Sequence, residues 1–89
     1  MNITMPASMR QFTQAKPVVQ ATGATIRELI ANLDCQYPGF KARVCDDNGK
    51  IRKFIAVFVN GRDVRTLQGD DTPLTGNEEI VLVAAIAGG

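Results

Sequence analysis

A run of apolar residues, Ile80-Val81-Leu82-Val83-Ala84, constrains the fold more than any other stretch of the chain. Three of its five residues are β-branched, which favours a strand, and no polar residue alternates with the apolar ones. A strand that is apolar on both faces usually lies in the middle of a sheet, where each face is covered. We therefore expect a central strand here, with Val81 and Val83 facing away from Ile80 and Leu82.

The rest of the chain predicts four further strands, at Asn2–Met5, Lys16–Gln20, Ile51–Val59 and Arg62–Arg65. Pro17 places the second of these at an edge of the sheet, since proline cannot donate to a strand ladder. Asn60-Gly61 favours a type I′ hairpin turn between the last two. Phe40–Cys45 is ambiguous between a helical turn and a strand, and Asp46–Lys50 has the composition of a turn.

The clearest helix begins at Thr25, whose hydroxyl can cap it, while Glu28 can answer in a capping box. Pro38 ends this helix. One apolar stripe recurs at helical spacing and consists of Ile26, Leu29, Ile30 and Leu33. Because one helix covers only one face of a sheet, part of the other face is expected to be apolar and uncovered.

Composition narrows the classes of function. A chain of 89 residues makes one domain, and a net charge of +1 gives no footprint for nucleic acid or a membrane surface. The sequence has no histidine, which excludes Ser-His-Asp and Cys-His catalysis and every His-containing zinc site. Cys35 and Cys45 cannot close a zinc site alone and are expected to be free thiols in the cytoplasm. We expect no metal, no bound cofactor and no catalytic residue.

Two glycines, Gly88 and Gly89, follow the apolar run and complete the sequence. Because glycine has no Cβ, this pair can enter a narrow channel that would reject side chains. The reactive group that such a tail presents is the α-carboxylate of Gly89. We predict a folded domain over residues 1–84 and a flexible tail over residues 85–89 that carries this carboxylate.

Three stretches resemble the MoaD/ThiS family of ubiquitin-like sulfur carriers. Residues 54–65 resemble the central hairpin of that family, residues 71–80 its T-P-L-x-x-G-D-E-V turn, and residues 85–89 the A-V-A-G-G tail of its CysO-like branch. The chain departs from the family at Asn77, where many relatives have Asp, and at Ala84, where a proline is common. The resemblance implies an α+β, ubiquitin-like β-grasp fold: a mixed sheet of four to five strands with one main helix on one face.

The chemistry that this resemblance implies is that of a protein co-substrate and not of an enzyme. A MoeB/ThiF-like adenylyltransferase would use ATP to convert the Gly89 carboxylate into an acyl adenylate. A sulfur donor enzyme would then displace AMP and leave a C-terminal thiocarboxylate. Gly88 and Ala87 would thread through the channels of the partner enzymes. The sequence has no phosphate-binding loop of the G-x-x-x-x-G-K type, so the partner would bind the ATP.

A hydrophobic docking patch made of Ile86, Val83 and Phe58 is the further implication of the resemblance. The alternative for each of these residues is ordinary core; docking is favoured for Ile86 and core for Phe58. Arg62 and Arg65 could pair with acidic groups of a partner, but we expect them to be solvated, as charges on a hairpin usually are.

The sequence leaves open which biosynthetic pathway receives the sulfur. The tail favours synthesis of cysteine or a related amino acid by a pyridoxal-phosphate-dependent, cysteine-synthase-like enzyme. The nearest competitor is the small MoaD-type subunit of molybdopterin synthase, which would pair with the large subunit; thiazole synthesis is a weaker one. Two other classes are a ubiquitin-like modifier that forms isopeptide bonds and an interaction module whose tail is vestigial.

Overall fold

A five-stranded mixed sheet is the frame of the fold, which the computed structural model describes for residues 1–84. Its strands are β1 (Asn2–Thr4), β2 (Val18–Gln20), β3 (Ile55–Val59), β4 (Arg62–Asp63) and β5 (Glu79–Ala84). They lie in the order β2-β1-β5-β3-β4, so β5 is the middle strand, as its doubly apolar sequence predicts. β5 is parallel to β1 and antiparallel to β3. β2 lies at an edge, as Pro17 indicates.

The connections between the strands contain two α-helices and three 3-10 helices. These are α1 (Ile26–Gln36), α2 (Phe40–Val44) and 3-10 helices at Ala7–Phe12, Val64–Thr66 and Gly69–Asp71. α2 settles the ambiguity at residues 40–45 in favour of a helical turn. The apolar stripe of α1 is buried in one core together with the inward-facing side chains of β3 and β5. This is the α+β arrangement that the sequence predicts.

The start of α1 follows the predicted capping pattern with one difference. Thr25 is the N-cap, and its hydroxyl accepts a hydrogen bond of 3.2 Å from the Glu28 N–H. The Glu28 carboxylate returns not to the N–H of Thr25 but to that of Ala24, at 3.5 Å. The first bond satisfies a backbone donor that the first turn of a helix leaves without an intrahelical partner, and the second ties the residue before the N-cap to the helix.

Gly23 allows the chain to pass close to the backbone of α1, a feature that the sequence did not indicate. A Cβ atom at this position would lie 2.5 Å from the backbone nitrogen of Leu29 and 2.9 Å from the carbonyl carbon of Glu28. Backbone atoms of a helix cannot move aside as a flexible side chain can. Glycine is therefore the residue that fits where the segment after β2 meets the helix.

The hairpin between β3 and β4 has the predicted turn but a shorter second strand. Asn60 and Gly61 have φ values of 51° and 85°, as a type I′ turn requires. The strand predicted over residues 62–65 ends at Asp63, because the Asp63 carboxylate accepts a hydrogen bond of 2.9 Å from the Arg65 N–H and starts a 3-10 helix. Arg62 is exposed, as expected.

The strand predicted over residues 51–59 begins only at Ile55. Ile51 forms an isolated bridge with Cys45, and residues 52–55 form a turn in which the Ile55 N–H donates to the Arg52 carbonyl at 3.0 Å. The guanidinium of Arg65 holds this turn by donating from Nη2 to the carbonyls of Arg52 (3.3 Å), Lys53 (2.8 Å) and Ile55 (2.7 Å). The expectation that Arg65 is merely solvated was therefore wrong, because local sequence does not show which distant carbonyls a long side chain can reach.

Glu78 organises the turn that leads into β5. Its carboxylate accepts hydrogen bonds from the Thr75 N–H (2.7 Å), the Thr75 hydroxyl (3.1 Å) and the Gly76 N–H (2.9 Å). These bonds, led by that of the Thr75 N–H, lower the pKa of Glu78 from 4.5 to about 2. Ionised Glu78 is thus part of the folded turn.

Replacing this carboxylate tests its contribution through pH. A folded-state pKa below the unfolded value stabilises the fold above pH 4.5, and the contribution disappears as the pH falls toward 2. Glu78→Gln should melt below wild type at pH 6, and the difference in Tm should shrink toward zero between pH 4.5 and pH 2. Glu79→Gln is the matched control, because the Glu79 carboxylate accepts no hydrogen bond from residues 1–84. A Glu78→Gln difference that stays constant over this range would contradict the assignment.

Candidate functional site

The two faces of the sheet differ in how they are covered. On β5, Ile80 and Leu82 point into the core and are 0% and 4% exposed, whereas Val83 on the opposite face is 45% exposed. Val81 is half-buried on that same opposite face. The predicted alternation along β5 is confirmed, and a face remains that no helix of residues 1–84 fills.

Strand register brings the apolar side chains of this uncovered face together. Phe58 of β3 lies opposite Val81, and Ala56 lies opposite Val83. Directly opposed residues of antiparallel strands point to the same face and touch. We call Ala56, Phe58, Val81 and Val83 the open-face patch. Thr4 of β1 also lies beside Val81 and borders the patch.

Phe58 lies on a different face of the sheet from the one predicted. The expectation that favoured core for Phe58 was wrong: Ile55, Val57 and Val59 are the core residues of β3, and Phe58 is half-buried on the other face. β3 is apolar at all its positions, so its sequence carries no alternation from which the inward residues could be read. Only the register against β5 assigns the faces.

The end of β5 lies at one end of the patch. Ala84, its last residue, is paired with Ile55, and Val83 immediately precedes it. The remaining residues of the predicted site, Ile86, Ala87, Gly88 and Gly89, lie outside the described residues. Of the predicted docking residues, the structure therefore brings Val83 and Phe58 onto one surface.

Phe54 is an exposed aromatic residue near the end of β5 and was not among the predicted docking residues. Its side chain is 41% exposed, and it belongs to the turn that precedes Ile55. No local pattern indicates this exposure, because Phe54 lies within the long apolar run that predicts a strand over residues 51–59. A large side chain left in water beside the end of the central strand is a candidate contact for a partner.

No acidic side chain or thiol of residues 1–84 belongs to the open-face patch. No set of three His, Cys, Asp or Glu residues in this part of the chain is arranged to hold a metal ion. Cys35 is exposed and Cys45 is buried, and both are free thiols. Burial is the main cause that raises the pKa of the Cys45 thiol. Among the helices of residues 1–84, none has the length and hydrophobicity that a membrane crossing requires.

Comparison with known proteins places the whole chain in one family. The sequence model of the ThiS family matches residues 3–89, which include both glycines at positions 88 and 89. The chain belongs to the ThiS family. It is 32% identical over 93 residues to the sulfur carrier protein CysO of Mycobacterium tuberculosis, with all of both chains aligned. It is also 30% identical over 66 residues to small archaeal modifier protein 3 of Haloferax volcanii, covering 74% of this chain and 71% of that protein.

Solved structures agree with this placement in the ThiS family. A chain of the Amycolatopsis orientalis BexX/CysO complex superimposes with a TM-score of 0.91 at 32% sequence identity, covering 99% of this chain and 98% of that one. The ubiquitin-like β-grasp fold is thereby confirmed, as are the five-stranded mixed sheet and the likeness to the CysO branch of the ThiS family.

Proposed function

We propose that this ThiS-family chain is a sulfur carrier in which the carboxyl group of Gly89 is the loading site. The observation that carries the proposal is the full-length similarity to the sulfur carrier CysO, together with a family match that extends to residue 89. The folded domain supports this role through β5, which joins the middle of the sheet directly to residues 85–89. In this role the chain is a co-substrate of other enzymes.

The loading chemistry needs an activated carboxyl group, because a free carboxylate is a poor electrophile. A MoeB/ThiF-like adenylyltransferase would bind the ATP. A Gly89 carboxylate oxygen attacks the α-phosphate, pyrophosphate leaves, and the acyl adenylate forms. A sulfide equivalent from the donor enzyme then attacks the acyl carbon and releases AMP, leaving the thiocarboxylate. Gly88 and Ala87 add little bulk, which suits a tail that enters narrow channels.

The open-face patch is the surface on which we propose that these partners dock. Val83 and Phe58 belong to it, and Ile86 would extend it along the tail. Aromatic and aliphatic residues that are half-exposed in the free protein and desolvated on binding are typical interface anchors. The Amycolatopsis CysO relative was crystallised as a complex with BexX, which supports partner docking as a property of such carriers.

The acceptor that we propose is an enzyme making cysteine or a related amino acid, with a pyridoxal-phosphate-dependent, cysteine-synthase-like mechanism in the cytoplasm. Its support is the likeness of the Ala85–Gly89 tail to that of the CysO branch. The large subunit of molybdopterin synthase is the alternative acceptor. Loss of cysteine prototrophy or loss of molybdoenzyme activity in a deletion strain would separate the two.

A protein modifier is the second candidate function, and the similarity to small archaeal modifier protein 3 favours it. The same activated Gly89 carboxyl would then form isopeptide bonds with lysine side chains. An epitope-tagged chain that produces a ladder of higher-mass conjugates in cells, lost on deletion of Gly88 and Gly89, would support this function over sulfur delivery.

Intact mass after loading tests the sulfur-carrier proposal. The full chain is incubated with ATP, a sulfide source and the MoeB/ThiF-like enzyme from the same genome. The expected mass corresponds to one oxygen replaced by one sulfur, localised to Gly89 by fragmentation. A chain lacking Gly88 and Gly89 should keep its original mass. An unchanged wild-type mass, or whole sulfur atoms added at Cys35, would contradict the proposal.

A charge placed in the open-face patch tests docking. Val83→Asp should raise the KM of the activating enzyme for the carrier by about tenfold or more, because a carboxylate in an apolar interface must be desolvated. Leu67→Asp is the matched control: Leu67 is 37% exposed and, with Val59, Asn60 and Arg62, lines a groove beside the hairpin. Equal KM values for Val83→Asp and wild type, with both folded by circular dichroism, would rule out docking through this patch.

A further inference from the structure

A tight turn lies where the central strand ends, and we call its residues 52–54 the root turn. Ile55, the next residue, is the partner of Ala84 in the sheet. The root turn therefore lies beside the point from which residues 85–89 continue. It is separate from the open-face patch, which begins at Ala56.

Hydrogen bonds from three directions hold the root turn in place. The Ile55 N–H closes it on the Arg52 carbonyl, and the Arg65 guanidinium donates to the carbonyls of Arg52, Lys53 and Ile55. The Arg52 N–H donates to the Val44 carbonyl at 2.9 Å, which ties the turn to α2. Much of the conformational entropy of the turn is thus lost on folding and need not be lost again on binding.

The side chains that this framework leaves available are one aromatic and one basic group. Phe54 is 41% exposed, and Lys53 is exposed. Within residues 1–84 the acidic side chains that form ion pairs are Asp70 and Asp71, and both pair with Arg27. The Arg52 guanidinium is already bound to the Ala42 carbonyl at 3.1 Å. Lys53 therefore offers its charge to an external partner.

The length of residues 85–89 limits how far the Gly89 carboxylate can lie from the root turn. The five residues 85–89 span at most about 18 Å when fully extended. An enzyme that surrounds the Gly89 carboxylate with its active site must bring the mouth of its channel close to Ala84. The root turn lies at that position.

We propose that the root turn is a second docking contact, in which Phe54 fills an apolar pocket and Lys53 meets carboxylates at the mouth of the activating enzyme's channel. This inference rests on the proposed function. A buried aromatic side chain commonly supplies much of the affinity of an interface, and a neighbouring charge helps to orient the partner. Arg65 acts here as a positioning residue, since it fixes the turn and does not itself meet the partner.

Steady-state ATP–pyrophosphate exchange with the MoeB/ThiF-like enzyme from the same genome tests the proposal on the full-length chain. Phe54→Ala should raise the KM for the carrier about tenfold and leave kcat within about twofold, because it removes binding far from the reacting carboxyl. Leu67→Ala, which truncates a similarly exposed residue at the other end of β3, should leave KM unchanged.

Charge and positioning are tested in the same assay. Lys53→Glu should raise KM, and the effect should weaken in high salt because surface charges are screened. Lys50→Glu, an exposed lysine in the preceding turn, is the charge control. Arg65→Ala should raise KM as Phe54→Ala does. In the double variant Arg65→Ala, Phe54→Ala the two effects should not add, which a general loss of stability would not produce.

The outcomes separate this inference from the function on which it rests. If wild type supports exchange and both Phe54→Ala and Lys53→Glu have the same KM as wild type, the root-turn contact is overturned. The chemistry proposed for Gly89 is then unaffected. Wild type that supports no exchange overturns both. A KM that rises equally for Phe54→Ala and Leu67→Ala also overturns the contact, since the effect would then not depend on the position.

Discussion

Hydrogen bonding of β5 on both of its edges is the constraint on which the rest of the structure depends. The strand pairs with β1 on one side and with β3 on the other, and its inward side chains, Ile80 and Leu82, lie in the core. A strand paired on both edges is hard to displace, because every ladder bond on two sides would have to break. The residues that follow Ala84 are therefore attached to the firmest part of the domain. In a sulfur carrier, that attachment fixes where the reactive end can be offered to an enzyme.

The central position of β5 also explains why one apolar face of the sheet stays uncovered by the helices of residues 1–84. Residues 80–84 of β5 are apolar on both faces, but the α1 stripe joins the core on only one of them. On the other face, completing the burial of Val83, which is 45% exposed, would contribute about 1 kcal/mol. Burial of Phe58 and Val81 would add to this gain, so the docking that we propose on this face would be stabilised by apolar area that the free protein leaves in water. The root turn adds an anchored aromatic and a charge at the end of that surface.

Periodicity and turn chemistry predicted most of this fold from the sequence. The helix from Ile26, the hairpin at Asn60 and the central position of β5 each follow from a local pattern that the tertiary structure does not override. The inward-facing residues of β3 could not be predicted, because an unbroken apolar run has no period. Two long-range contacts could not be predicted either: the hydrogen bonds of Arg65 to residues 52–55 and the close approach of Gly23 to α1. Each joins segments that are apart in the sequence, and a local pattern does not show which distant segments will touch.

Hydroxyl-radical footprinting of the full chain, alone and with its activating enzyme, is the decisive test of whether partners dock on the open-face patch and the root turn. Oxidation of a side chain reports its exposure to water, and the chain offers reporters on both sides of the sheet. We expect the complex to protect Phe58 and Phe54 from oxidation. Cys35 on the exposed side of α1 and Leu67 near the hairpin should react as in the free protein. Protection of Cys35 with Phe58 unchanged would contradict this expectation, because the enzyme would then bind the helical side of the domain.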